Sequence, residues 1–490
     1  MRRALAGLCL AQLLLGCATN PVTGREEVSF MSPEREAALG REASQQVAQE
    51  MGLVEDPALL AYLRQVGERV AAQSPRKDVK YQFFIAGMAD TNAFALPGGY
   101  VYVSRGLLAL VRSEDELANV LAHEVGHVAA RHAAQRETRA VGVGVLSALG
   151  TLAAGVLGGA QAAQSVAQFG QVAGAGLIAS YGRDQERQAD DVGQKMASAS
   201  GFDPGGMPSF LRALEREVTL RLGKPRMPTF LDSHPTTPER VRATEVLAGE
   251  LGSRGGFAPV TARDAFVARL SGLLVGDDPA EGVVRGESFL HPDLGLQLSF
   301  PKGWAVQNGK AAVGAQEPDG GALIVLQMQE RGEDPRAAAE RFLRANAQAI
   351  ELLDRGAFSD AAVPAYRARA RVAIQQGTAG AEFFWLALGG HIYRLQCLAA
   401  PQNFAGFVRS FERTAASFRP LTADERASIR EQRLEIVVAS AGETLEALAQ
   451  RGGNVWKPEQ LALANGLEPG ARLVARQRIK IVVERPYRGR

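Results

Sequence analysis

The sequence predicts a multidomain protein: a mainly helical domain with a small sheet, then an alpha+beta domain, then a small C-terminal module. Three observations carry this. The chain has 490 residues, enough for about three domains. Its first half shows helically spaced apolar positions behind clear N-caps, and from about residue 288 short strand-like runs take over. A last segment, about 432 to 485, is bounded by two apolar runs, Ile436-Val-Val438 and Gln477-Arg-Ile-Lys-Ile481.

Composition narrows the function classes. Hydrophobic residues make up 46%, which can fill substantial cores, and 55 Lys+Arg against 53 Asp+Glu leave a net charge of +2. That balance carries no electrostatic footprint for nucleic acid. Of three cysteines, Cys9 and Cys17 fall in the leader region, so Cys397 cannot form an internal disulfide and reads as a small core residue.

Taken in order, residues 1–17 read as a bacterial lipoprotein signal. Arg2 and Arg3 form the charged start, Leu5 to Leu15 a short apolar run, and Leu14-Leu-Gly-Cys17 a lipobox. The run is too short for an ordinary membrane span. The mature chain would begin at Cys17, lipid-modified and anchored to the membrane. Ala18 then favours the periplasmic face of the outer membrane. Asn20-Pro-Val-Thr-Gly24 is a polar tether, and Ser32-Pro33 and Asp56-Pro57 each place a capping residue before a proline at the first helical position. Leu59, Leu60, Leu63, Val66 and Val70 give the second helix an amphipathic face, and residues 79–86 and 100–104 look like strands.

The stretch Val120-Leu-Ala-His-Glu-Val-Gly-His-Val128 then sets His123 and His127 four residues apart with Glu124 beside the first. On a helix these imidazoles share one face and can grip one metal while Glu124 reaches a water. Ser113 with Glu116 reads as a capping box at the start of that helix. A third ligand is needed, and Glu186 is the candidate, with Asp190 four residues on and suited to accept the second N–H of a ligand histidine. His132, about 140° around the helix from His127, reads as a surface or supporting residue.

His123-Glu-Val-Gly-His127, the pair Glu186 and Asp190, the upstream Asn92-Ala-Phe-Ala-Leu-Pro-Gly-Gly99 and the downstream Ser233-His-Pro-Thr-Thr-Pro-Glu-Arg240 occur in this order. Together they resemble the zinc metallopeptidase family that includes the CAAX prenyl proteases, the heat-shock membrane protease and the periplasmic beta-barrel assembly-enhancing protease. The resemblance covers residues 18–250 and implies a mainly helical, gluzincin-like zincin fold with one Zn2+ per chain. His123, His127 and Glu186 would be the ligands, Glu124 the general base, and Asp190 and Arg240 supporting residues. It further implies that Asn92, Ala93, Phe94, Ala95 and Leu96 lie on an edge strand that receives an extended peptide. His234 would either occupy the open metal position as a latch or swing away to stabilise the oxyanion.

Residues 140–182 carry no charge and are rich in Ala, Gly and Val. A single membrane span there would put Glu186 on the other side of the membrane from His123 and His127, which one metal forbids. A helical hairpin or mobile loop beside the site is the preferred reading over a membrane hairpin. Residues 251–287 read as a polar linker, and 288–420 as an alpha+beta domain of unknown role with helices at 335–353 and 401–418. The final segment resembles a LysM module, a strand-helix-helix-strand fold that commonly binds peptidoglycan. The function expected is a lipid-anchored periplasmic zinc endopeptidase for unfolded or misassembled envelope proteins. Its rival is a non-enzymatic peptidoglycan-binding or chaperone-like scaffold with a latched metal site.

Overall fold

The computed structural model describes residues 17–28, 31–136, 181–221, 230–235, 237–252, 260–374 and 377–489. Residues 1–16 of the signal and nearly all of the charge-free stretch lie outside the described residues, and the readings made of them lie outside with them. Among the described residues, no helix is long and apolar enough to cross a membrane. The described residues divide into two compact units: those up to Gly276 with Gln432–Glu484, and Asp277–Glu431 with those from Arg485 on.

The first unit opens with an antiparallel pair, β1 (Cys17–Thr19) and β2 (Glu26–Val28). Helices α1 (Pro33–Glu50) and α2 (Pro57–Ala71) begin where the prolines place them. Ser32 accepts from the Arg35 N–H at 3.3 Å, and Asp56 accepts from Ala58 and Leu59 at 3.0 Å. A three-stranded sheet follows, with β3 (Gln82–Ala86), β4 (Ala93–Leu96) and β5 (Tyr100–Ser104) in the order β3-β5-β4. β3 runs parallel to β5 and β4 antiparallel, which leaves β4 at an edge.

After α3 (Arg105–Leu110) comes α4 (Glu114–Ala129), the helix that carries the paired histidines. Ser113 caps it by accepting from the Glu116 N–H at 3.1 Å. The expected capping box is only half made, because the Glu116 carboxylate accepts instead from the Arg112 N–H at 2.7 Å and from its guanidinium. Charge draws it one residue further back, to a charge-assisted partner. Helices α5 (Arg183–Ala199), α6 (Gly206–Arg221), α7 (Phe230–Ser233) and α8 (Pro238–Gly252) complete the helical layer. One core joins Leu63 and Val66 of α2, Phe83 and Val101 of the sheet, Leu117, Leu121 and Val125 of α4, and Phe210 and Leu214 of α6.

The stretch read as a polar linker contributes α9 (Val260–Ala268) and β6 (Leu274–Val275). Phe266, Val267, Leu270 and Leu273 bury themselves in that same core. Apolar residues spaced among glycines and charges looked like a transition because their burial partners are distant in sequence.

The second unit holds two antiparallel sheets. The smaller contains β7 (Val283–Arg285), β8 (Ser288–His291), β9 (Leu296–Ser299) and β17 (Arg419–Pro420). The larger has seven strands: β10 (Ala305–Asn308), β11 (Ala312–Gln316), β12 (Ala322–Arg331), β13 (Ile350–Ala357), β14 (Ala365–Ile374), β15 (Gly377–Leu388) and β16 (His391–Ala399). Alternation along β15 sends Phe383 and Trp385 toward α10 (Pro335–Ala345), and Phe384 and Leu386 toward α11 (Phe404–Ala416). The helix expected at 335–353 stops at Ala345, because Ile350, Glu351 and Leu352 pair with Val372, Arg371 and Ala370 as sheet. Cys397 is fully buried in that sheet. The short helix α12 (Ala423–Ser428) leads out of the unit.

The chain returns to the first unit through β18 (Arg430–Val438), α13 (Leu445–Gly452), α14 (Pro458–Asn465) and β19 (Arg478–Pro486). Its sheet runs β19-β18-β6, so the C-terminal module shares a sheet with the stretch after α9. Leu463 of α14 and Leu434 of β18 join the helical core. Lys480, wholly buried, donates to the carbonyls of Ala109, Leu110 and Val111 at 2.6, 3.4 and 2.8 Å. These are carbonyls left without intrahelical partners where α3 ends. Burial pulls the Lys480 ammonium well below the usual lysine range. Lys480→Met should therefore lower the stability of the full-length chain by about 1–3 kcal/mol, since it strands buried carbonyls. A shift in the midpoint of chemical denaturation would measure the loss.

Candidate metal centre

The site exists because α4 and α5 can approach each other at two glycines. A Cβ on Gly126 would sit 2.9 Å from Val192 Cγ1, and one on Gly193 would sit 3.0 Å from both the nitrogen and the Cα of His123. With bare backbone at both positions, the α4 imidazoles meet the α5 carboxylates. The segment 230–234 closes the third side. Phe230 N–H donates to Thr91 O at 2.9 Å, just before β4, and Tyr181 N–H donates to Ser233 O at 3.0 Å, just before α5. His234 is thereby held between the edge strand and α5.

Four side chains converge. His123 Nε2 lies 3.0 Å from His127 Nε2 and 3.2 Å from His234 Nδ1, and His234 Nδ1 lies 3.0 Å from Glu186 Oε1. One ligand atom from each of His123, His127, Glu186 and His234 falls within 4.8 Å of the others. Outside this ring, His123 Nδ1 is 2.9 Å from Asp190 Oδ1. Arg240 clamps Asp190 with two contacts of 2.5 and 2.8 Å and reaches Glu186 Oε2 at 2.6 Å. Two rings support the imidazoles: Tyr181 stacks on His127 at 3.8 Å between centroids and Phe230 on His234 at 4.3 Å.

The electrostatics follow from burial. Desolvation pushes the Glu124 carboxyl up, and among the described residues neither of its oxygens has a hydrogen-bond partner. His234 Nε2 lies 3.5 Å from Oε1. Burial opposes a charge on His123, yet Asp190 and Glu186 outweigh it and raise the imidazole to about 9. His127 goes the other way, held well below the usual range by burial and by the neighbouring His123. Burial also works against ionising Glu186 and Asp190. His234 and His123 nonetheless hold Glu186 well below the usual carboxylate range, and Arg240 lowers Asp190.

This arrangement fits one divalent cation. Three imidazole nitrogens and a carboxylate oxygen form a donor set suited to zinc. Glu124, Glu186 and Asp190 are buried around these donors, with Arg240 against the latter two, so the setting is one that favours a cation.

Of the residues expected from the sequence, His123, Glu124, His127, Glu186, Asp190, His234 and Arg240 all lie in this cluster and are buried. Asn92, Ala93, Phe94 and Leu96 are buried and Ala95 half-buried along β4, so their side chains are turned into the protein. β4 is an outer strand of the sheet, with no partner strand on its far side among the described residues. Cys17 opens β1, and its side chain lies outside the described residues. Sequence reasoning gave no role to Tyr181 or Gln188, although both stand inside the stretch Tyr181–Asp190. It placed His132 around the helix, whereas α4 ends at Ala129 and His132 turns back to within 2.8 Å of His127.

Residues 57–248 match the model of Peptidase family M48. They are a Peptidase family M48 domain. Three curated relatives are similar to part of the chain. The beta-barrel assembly-enhancing protease of Yersinia pestis is 33% identical over 238 residues, covering 48% of this chain and 47% of that protein. The mitochondrial metalloendopeptidase OMA1 of Schizosaccharomyces pombe is 31% identical over 230 residues, 46% of this chain and 64% of that one. The metalloprotease LoiP of Escherichia coli is 25% identical over 250 residues, 49% of this chain and 94% of that one. The chain thus spans about half the length of the first relative and less than two thirds of the second. Each of these three alignments covers just under half of this chain.

Two substitutions probe the M48 centre without replacing any of its four converging side chains. Gly193→Ala should push α5 from α4 and cost roughly 1–3 kcal/mol of stability, read by urea denaturation. Arg240→Met leaves two buried carboxylates without their cation and should cost roughly 3–5 kcal/mol in metal-free protein, read the same way.

Proposed function

We propose that this chain is a zinc-dependent metalloendopeptidase that hydrolyses unfolded or misassembled proteins of the bacterial envelope, tethered to the membrane by a lipid on Cys17. The observation that carries the catalytic reading is the Glu124 carboxylate: buried, without a hydrogen-bond partner among the described residues, and beside the converging donors of His123, His127 and Glu186. A site built only to hold metal needs no such base. The substrate class and envelope setting draw support from the beta-barrel assembly-enhancing protease relative. The anchor rests on the lipobox of residues 14–17.

When bound, zinc supplies a Lewis acid for the scissile carbonyl and lowers the pKa of water toward roughly 7. Glu124 takes the proton of the attacking water and delivers it to the leaving amine. The β4 edge holds the substrate extended by backbone hydrogen bonds, a mode that reads main chain more than side chains and favours unfolded segments. His234, whose Nδ1 lies 3.2 Å from His123 Nε2 and 3.0 Å from Glu186 Oε1, would help hold the metal as a latch and would have to leave before water and substrate enter.

The C-terminal residues follow the strand-helix-helix-strand order of a LysM-like module, and peptidoglycan is the partner that order suggests. The competing reading, a non-enzymatic wall-binding or chaperone-like scaffold, draws on the same seated His234. Casein cleavage by the full-length chain separates the two, with zinc content read on each sample. The expected result is cleavage by the wild type, loss of about 10²–10⁴-fold in Glu124→Gln with zinc retained, and faster cleavage by His234→Ala. Stoichiometric zinc with no cleavage by any variant favours the scaffold; no zinc at all removes the site.

A further inference from the structure

We infer that His132 is a positioning residue that sets the tautomer of His127, through a relay running from His127 by way of His132 to Gln188. This deepens the metallopeptidase reading and rests on it.

The backbone goes out of its way to build the relay. After Ala130 the chain enters the left-handed region at Arg131, with φ of 56°, a conformation that residues with a side chain seldom adopt. That single residue ends the helix and folds His132 back beneath His127. Arg131 is held there by its own side chain: Nη2 donates to Met31 O at 2.7 Å, and Nε lies 3.5 Å from Glu36 Oε2. Glu36 is itself buried and gripped by Arg76 at 2.9 and 3.1 Å. A buried ionic node on α1 thus fixes the turn that delivers His132.

With both imidazoles neutral, the hydrogen bonds then have one consistent direction. His127 Nδ1 and His132 Nδ1 are 2.8 Å apart, so one carries a hydrogen and the other a lone pair. His132 Nε2 is 2.8 Å from Gln188 Oε1, an oxygen that can only accept. His132 therefore carries its hydrogen on Nε2 and accepts at Nδ1, and His127 carries its hydrogen on Nδ1. That leaves the His127 Nε2 lone pair facing His123, His234 and Glu186. Reversing the Gln188 amide would reverse every step and put a hydrogen on His127 Nε2, where the metal must bind. His123 needs no such relay, because Asp190 lies 2.9 Å from its Nδ1. The two α4 ligands are thus oriented by different devices, a carboxylate for one and a histidine–amide chain for the other.

The test uses the full-length chain labelled with 15N-histidine, whose six histidines give a countable set of ring nitrogens. Long-range 1H–15N correlations on metal-free protein should show His127 as the Nδ1–H tautomer and His132 as the Nε2–H tautomer. Zinc affinity, from competition with a chromophoric chelator, should fall about 10–100-fold in His132→Ala. His132→Asn, whose side-chain oxygen can accept from His127, should recover most of that loss. Gln188→Glu, able only to accept, should bind at least as tightly as the wild type, and Gln188→Met more weakly. An Nε2–H tautomer at His127 overturns the inference, as does unchanged zinc affinity in a folded His132→Ala. If the wild type binds no zinc, the metallopeptidase reading falls, and the tautomers alone decide this one.

Discussion

The close approach of α4 and α5 is the constraint on which the rest depends. At Gly126 and Gly193 a single methyl group would collide with the facing helix, one contact being the backbone of His123 itself. Removing that methyl group at both points brings two imidazoles from one helix against two carboxylates from the other. Protein interiors are too densely packed to absorb the difference elsewhere. Everything chemical in the first unit follows from how that charge-rich seam is satisfied.

Satisfying it takes several distant elements. Arg240, on the first turn of α8, neutralises Asp190 and touches Glu186. Phe230 and Tyr181 cover His234 and His127 with aromatic faces. The α1 node of Glu36 and Arg76 sets the turn at Arg131. Against this background Glu124 stands apart, because its burial is matched by no hydrogen-bond partner among the described residues. A buried carboxyl left in that condition costs stability, which is a reason to connect it with chemistry.

The C-terminal module belongs to the same structure as the centre. Lys480 closes the end of α3, β18 pairs with β6, and Leu463 enters the core that supports α4. A wall-binding role for those residues would operate from a surface rigidly joined to the M48 domain. The second unit follows its own logic, a seven-stranded sheet with a helix on each face, and none of its described residues belongs to the cluster.

Much of the centre was legible in the sequence because its chemistry is local in spacing. His123 and His127 at i and i+4, with Glu124 between, and Glu186 and Asp190 at the same interval, announce shared helix faces. The caps at Ser32, Asp56 and Ser113 were legible for the same reason. What the sequence by itself determined is therefore the set of elements and the kind of donor each one carries. The tertiary structure alone decided which of them meet. The Arg131 turn, the seating of His234, the burial of α9 and the strand at Ile350 depend on partners far along the chain, and no local spacing encodes a contact that is paid for by packing between distant elements.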